Sequence, residues 1–488
     1  MIRESVIVKI SIPALFLISF ILHFATLNQT PYANGWDGYY YIMQAFTFIE
    51  KGAMRSPDYS PIYPYYIILS FITKDYILAF KIGSAILSGI LTISAFIISQ
   101  KFTKDTVIPY LISAFLLFSP TLYYFASQFP KNLMGVIFFI WFVYFLIKKK
   151  MLWSGIFFLL GFMTHRMIAG LSVIIILVSF IKELKIRLIL PFIAIAVLLA
   201  FLLPGLIHIA DIDRFTNLIS ECLYIPPLRL IDFFGKDKLS IAWKTEIILL
   251  YLVFVTFIGW QLYNYIQKRK MESFSLFLIV TLLVLSFPIY TFTKASIGFR
   301  FYLVFVLLSI FAIQYIAKLL PQIAKLIFVG IVLLASVFSY KSYNLKEFDP
   351  PYESYFNTMN KANSYLKDKD AELIIAHQAL AQIIIIYSDY NATNWQPVDS
   401  SKYESMWRIT SNIKYYYFKK YLDENDLNYL KHLHGEYYII REDIWQKLYK
   451  RILKTNDLNL ISKFKSWYNP VNPKPEFLLR RRSKDYIH

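Results

Sequence analysis

Asp37 is the residue of this chain best placed to do chemistry. It stands in Trp36-Asp37-Gly38-Tyr39-Tyr40-Tyr41, just beyond the first hydrophobic segment. A carboxylate at the edge of a bilayer costs several kcal/mol unless it faces a polar cavity, so such residues are functional candidates. Held against a hydroxyl, it can act as a general base. The competing reading is an interfacial loop whose Trp and Tyr form an aromatic belt. Cations recur in comparable positions. His165-Arg166 interrupts a long apolar run, Lys131 follows Phe129-Pro130, and Lys294 and Arg300 bracket Ala295-Ser296-Ile297-Gly298-Phe299. Their plainer role is to snorkel and anchor helix ends at the headgroups. Further acids lie in loops: Asp58, then Asp211-Ile212-Asp213 and Glu221. The Asp211-Asp213 spacing has the form of a DxD pair, although solvent-facing loop acids are the commoner explanation of so short a pattern.

The elements that must position these residues are mostly membrane helices. The 488 residues are 57% hydrophobic and 18% aromatic with only 17% charged, and the mean hydropathy is +0.47. A soluble chain of this length carries more charge. Apolar runs near the roughly 20 residues that cross a bilayer recur from Val6 to Tyr340 and stop after Lys341. The composition shift predicts a polytopic membrane domain at 1–340, with a first outer loop at 27–75, and a soluble domain at 341–488. The single cysteine, Cys222, excludes an intrachain disulfide or a cysteine metal cluster. The segment Val6 to Phe24 is too long for a signal h-region and lacks a small-residue cleavage site, so it reads as an anchor.

Charge distribution orients the spans. About 11 are expected, at 6–26, 76–99, 107–126, 133–147, 152–163, 167–181, 188–209, 245–266, 273–291, 299–317 and 322–340. With the N-terminus inside, one side receives Arg3, Lys9, Lys101, Lys104, Lys148-Lys149-Lys150, Lys182, Lys185, Arg187, Lys268-Arg269-Lys270, Lys318 and Lys325. Only Glu4, Asp105, Glu183 and Glu272 oppose them there, which is the positive-inside pattern. Splitting Met151–Phe180 at Thr164-His165-Arg166 preserves this pattern, and so does treating the short run Ile62–Ile72 as interfacial or re-entrant. Asp37, Asp58, Lys131, His165, Arg166, Lys294, Arg300, the 211–244 loop and the C-terminal domain then fall outside. So do two N-glycosylation acceptor patterns, Asn28-Gln29-Thr30 and Asn391-Ala392-Thr393.

The order of these features resembles the GT-C superfamily of integral-membrane glycosyltransferases, among them the protein O-mannosyltransferases, the lipid A aminoarabinose transferase and the oligosaccharyltransferases. The resemblance rests on a first span, then Trp36-Asp37-Gly38-Tyr39-Tyr40-Tyr41, an amphipathic helix ending in Glu50-Lys51-Gly52, and the stretch Ser60-Pro61-Ile62-Tyr63-Pro64. Many spans and a soluble end domain follow. It implies an all-α GT-C-like membrane domain that moves a sugar, with inversion, from a polyprenyl- or dolichyl-phosphate donor to a glycan, lipid or protein acceptor on the extracytoplasmic face. Asp37 matches the catalytic or metal-binding first-loop aspartate. The donor phosphate needs cations, for which Arg166 and Arg300 are first choices because guanidinium clamps phosphate bidentately. Lys294, Lys131 and His165 follow. Many relatives carry a second acid near the outer end of the third or fourth span. Here that region reads Ser127-Gln128-Phe129-Pro130-Lys131-Asn132, so Asp58, Asp211 or Asp213 would have to supply any further acceptor or divalent-metal ligand.

No HExxH, P-loop or GxGxxG stands beside these residues. The positive charge gathers at span ends, a topology signal and not a nucleic-acid patch. A lipid-linked glycan flippase or a glycan polymerase is the alternative; against a transporter, the hydropathy shows no internal repeat. In the C-terminal part, Glu372–Ala376, Gln382–Tyr387, Tyr437–Ile440 and Leu458–Phe464 read as strands. Tyr355–Leu366, Asp423–His432 and Asp443–Arg451 read as helices, which predicts a small α/β or α+β fold. Arg480-Arg481-Arg482 reads as a run that stays solvated or touches anionic headgroups. Usage rich in Ile, Lys and Tyr points to an AT-rich prokaryotic or archaeal genome and a plasma-membrane location.

Overall fold

The computed structural model describes residues 2–55, 59–103, 105–181, 241–268, 271–286, 297–328, 352–366, 373–376, 378–388, 391–393, 437–441 and 477–481, with isolated positions between them. The chain divides into two compact units. One comprises Met1–Gly35 and Pro57–Phe348, the other Trp36–Ser56 and Asp349–His488.

The first unit is helical: α1 (Ile2–Leu27), then α3 (Ile62–Thr73), α4 (Tyr76–Phe102), α5 (Ile108–Phe118), α6 (Pro120–Gln128), α7 (Pro130–Ile147), α8 (Met151–Thr164), α9 (Arg166–Ile181), α10 (Ile241–Lys268), α11 (Ser273–Ser286) and α12 (Ile297–Ala317). Among the described residues, Val6–Leu27, Tyr76–Phe102, Pro130–Ile147 and Ile248–Gln267 are long and apolar enough to cross a bilayer. A fifth span arises if α5 and α6, bent by 54°, count as one broken span. Five shorter apolar helices accompany them, α3 at 12 residues included. The expected split at His165 appears as the break between α8 and α9. The expected spans at 188–209 and 322–340 fall largely outside the described residues.

Local chemistry explains several ends. Asp75 caps α4, its carboxylate accepting from the Ile77 and Leu78 amides at 2.8 and 2.9 Å. Proline stands at the first position of both α6 and α7, where its missing N–H costs nothing. The basic loops converge at one end of this unit. Lys148 lies 5.1 Å from the Phe102 ring centroid, Lys318 donates to the Phe102 carbonyl at 3.4 Å, and Lys325 pairs with Asp105 at 2.5 Å.

Among the described residues, the second unit joins a four-stranded sheet to the helices α2 (Gly38–Lys51), α13 (Tyr352–Leu366) and α14 (Gln378–Tyr387). β1 (Leu373–Ala376) pairs in parallel with β2 (Asn391–Thr393) and β3 (Tyr437–Arg441), and β3 pairs antiparallel with β4 (Phe477–Arg481), in the order β2-β1-β3-β4. α13 and α14 pack together, and α14 also packs on β1, β2 and α2. The first-loop helix α2 thus belongs to the same unit as the C-terminal residues.

Two expectations are corrected. Gln382–Tyr387 is the end of helix α14 and not a strand. Its residues Ala379–Ile384 are buried on every side, and a wholly covered apolar run carries no helix or strand period. Leu458 and Ser462, in the stretch read as a strand, are helical. Arg480 and Arg481 sit in β4 opposite Tyr438 and Tyr437. Asp423–His432 and Asp443–Arg451 lie outside the described residues.

Candidate functional site

Asp37 occupies the N-cap position of α2, half-buried, with φ −103° and ψ 2°. Its backbone carbonyl accepts the first helical hydrogen bond, from the Tyr41 amide at 3.2 Å. Its side chain makes no capping bond. That contrasts with Asp75, whose carboxylate is spent on its own helix. Within the same unit the Tyr39 ring is fully buried against Tyr352 at 4.8 Å, Phe356 at 5.8 Å and Tyr387 at 6.3 Å between centroids. Burial, and then the charges of Asp349 and Asp37 among its neighbours, hold the Tyr352 phenol well above the usual tyrosine range, so it stays protonated.

The cations cluster in the membrane unit at two helix junctions. Phe129 ends α6 and precedes α7. The Arg300 guanidinium, exposed, lies 4.8 Å from the Phe129 ring centroid. Two residues on, Lys131 lies 5.6 Å from the Tyr63 ring centroid. One turn further along α7, a Cβ on Gly135 would meet the His165 Cβ at 3.5 Å, so the α8–α9 junction packs beside Lys131. His165 is extended, with φ −154° and ψ 131°, and its Nδ1 accepts the Met167 amide at 3.2 Å. That bond leaves the proton on Nε2 in the neutral ring. Arg166 follows, exposed, as the first residue of α9. Ser60, from the proline-bearing stretch, donates to the Thr164 carbonyl at 3.3 Å and ties the first loop to this junction.

Lys131, His165, Arg166 and Arg300 therefore gather around adjacent junctions, whereas Asp37 belongs to the other unit. Lys294, Asp58, Asp211 and Asp213 lie outside the described residues. Among the described residues no group of three or more His, Cys, Asp or Glu could hold a metal ion.

Three buried groups escaped the sequence reading. Glu246 of α10 is buried at the break between α5 and α6. Its carboxylate accepts from the Ser119 hydroxyl, from the Thr121 hydroxyl at 2.7 Å and from the Thr121 amide at 3.3 Å. The Trp243 indole N–H donates to Thr121 Oγ1 at 2.7 Å. Lys81, buried in α4, donates to the Thr30 carbonyl and to Asn28 Oδ1 at 3.4 Å, so the first acceptor pattern clamps a membrane cation. His23 of α1 stacks on Tyr123 of α6 at 4.1 Å, its Nδ1 2.8 Å from the Ser19 carbonyl. A lone charge inside an apolar run was the available signal for Glu246 and Lys81. Gly35 completes the arrangement. It has φ +78°, and a Cβ there would clash with the Ser127 carbonyl oxygen at the end of α6, so only glycine fits that position.

The EpsG family profile matches residues 11–357. No curated protein sequence matches the chain. Among solved structures, ArnT from Cupriavidus metallidurans in the apo state is 10% identical with a TM-score of 0.57, covering 98% of this chain and 99% of that one. The same protein bound to undecaprenyl phosphate gives 9% identity and a TM-score of 0.58, covering 97% and 98%. The arabinofuranosyltransferase AftD from Mycobacteria gives 10% identity and a TM-score of 0.51, covering 98% of this chain and 40% of that one. The fold is thus GT-C-like.

Proposed function

The chain belongs to the EpsG family, and from that premise we propose that it is a multi-pass membrane glycosyltransferase using a polyprenyl- or dolichyl-phosphate sugar on the extracytoplasmic face. The observation that carries this reading is the near full-length likeness to a protein solved with undecaprenyl phosphate, joined to a first-loop carboxylate not used as a helix cap.

In the proposed reaction an acceptor hydroxyl attacks the anomeric carbon and Asp37 takes its proton. The bond from that carbon to the phosphate oxygen breaks with inversion, and the lipid leaves as its phosphate monoester. Arg166 and Arg300 clamp the negative charge that develops, with Lys131, His165 and Lys294 as further candidates for that charge. Asp58, Asp211 and Asp213 remain candidates for acceptor or divalent-metal binding. The N-terminus is inside and the 341–488 domain outside.

A second reading concerns the acceptor. The EpsG family is polymerase-like, which favours a glycan acceptor that is itself lipid-linked. Membranes bearing wild type or Asp37→Asn, incubated with radiolabelled polyprenyl- and dolichyl-phosphate sugars, test both readings. Label should leave the lipid only with wild type, and a ladder of products in place of one added sugar would mark a polymerase. Equal release from both samples would remove Asp37 from the reaction.

A further inference from the structure

We propose that Tyr352 is a positioning residue for Asp37, its ring fixing the first turn of α2. The inference rests on the transferase reading for the role of Asp37, but its geometry stands alone. Tyr39 is two residues from Asp37 in the opening turn of α2. Its ring has no solvent exposure and sits edge-on to Tyr352, at 71° between planes. Tyr352 is the first residue of α13 and is buried in turn, with Tyr355 at 6.0 Å. Phe356, one turn along α13, and Tyr387, the last residue of α14, close the remaining sides, 5.2 Å from each other.

The arrangement answers a physical need. An isolated helix of 14 residues, the length of α2, is marginal in water. The Asp37 carboxylate does not cap α2, so the start of the helix needs holding from elsewhere. Aromatic pairs at these separations stabilise beyond the area they bury. Three rings on one buried tyrosine therefore fix where the turn carrying Asp37 begins. A displacement of about 1 Å in a reacting group can cost 10²-fold in rate.

Two readouts on the full-length protein in lipid nanodiscs test this, Tyr352→Ala against Tyr352→Phe. The first is hydrogen–deuterium exchange, which needs no substrate. Exchange across Gly38–Lys51 should accelerate at least about tenfold in Tyr352→Ala and stay at the wild-type rate in Tyr352→Phe, with β1 protected in both. The second is sugar release from radiolabelled polyprenyl-phosphate sugars. In Tyr352→Ala kcat should fall about 10²-fold with KM within about threefold, and Tyr352→Phe should restore it. If Tyr352→Ala also opens β1, Tyr387→Ala trims a partly exposed ring of the same cage and should loosen α2 with β1 intact. Unchanged α2 exchange overturns the proposal whatever the activity. Loosened α2 with full kcat overturns the positioning role. Loosened α2 in a protein whose wild type releases no sugar would instead remove the transferase reading and leave the packing of α2 established.

Discussion

At the scale of single residues, Asp37 and Asp75 contrast as the carboxylate proposed for the chemistry and one that caps its own helix. Both stand at N-caps, but only Asp75 satisfies helix amides. Asp37→Asn keeps the size and removes the base, so sugar release should fall by about 10²–10⁴-fold while detergent-solubilised protein unfolds at the same temperature. Asp75→Ala should do the reverse, losing about 1 kcal/mol of stability with activity retained. Asp105 supports a pH prediction. Burial opposes its ionisation, but the Lys325 ammonium and the Val107 and Ile108 amides outweigh that, and its carboxyl lies below the usual range. A depressed folded value means the contribution is complete above the unfolded pKa of about 3.9 and is lost as pH falls through the folded value beneath it. Thermal unfolding between pH 2.5 and 7 should show this loss in wild type and not in Asp105→Asn, with a size at or below about 1 kcal/mol.

At the scale of elements, the break between α5 and α6 is the least legible feature in the sequence and one of the most consequential in the structure. The sequence reading ran one span, 107–126, straight through Ser119-Pro120, and the partner that satisfies the break, Glu246, is 127 residues away. No local pattern reports such a contact. Glu246→Ala leaves Thr121 N and two hydroxyls without their acceptor at about 1–3 kcal/mol for each group that stays dry. It should therefore lower stability by several kcal/mol, whereas Glu246→Gln, which keeps an acceptor oxygen, should cost much less. Thermal unfolding of the two variants decides this, and equal losses would assign the effect to packing alone. Legibility followed the same rule elsewhere. The end of α2 at Gly52, left-handed at φ 76° with its amide on the Phe48 carbonyl, was readable because its signal is local. The break at His165 was readable because a charged pair interrupts an apolar run. α14 was misread because burial on all sides erased its period. The cage around Tyr39 was invisible because Tyr352 and Tyr387 come from the far end of the chain.

At the scale of the whole molecule, the sorting of charge makes a prediction about orientation. Loops assigned to one side by the positive-inside pattern meet in space at one end of the membrane unit. Phe102 closes α4, Lys148 follows α7, Lys318 follows α12, and Asp105 pairs with Lys325. Lys131 and Arg300 open α7 and α12, so they lie at the opposite end of those same helices. The segregation fits a bilayer in which the basic end faces the anionic inner leaflet and the candidate phosphate-binding residues face outward. In a Cys222→Ser background, a cysteine replacing Lys149 should resist a membrane-impermeant maleimide on intact cells and react once the cells are opened. A cysteine replacing exposed Glu353 of α13 should react on intact cells, because the domain after the last span is assigned to the outer face. Reversal of both patterns would turn the molecule over. The proposed donor site would then face the cytoplasm, where the sugar would have to come from a lipid-linked donor in the inner leaflet.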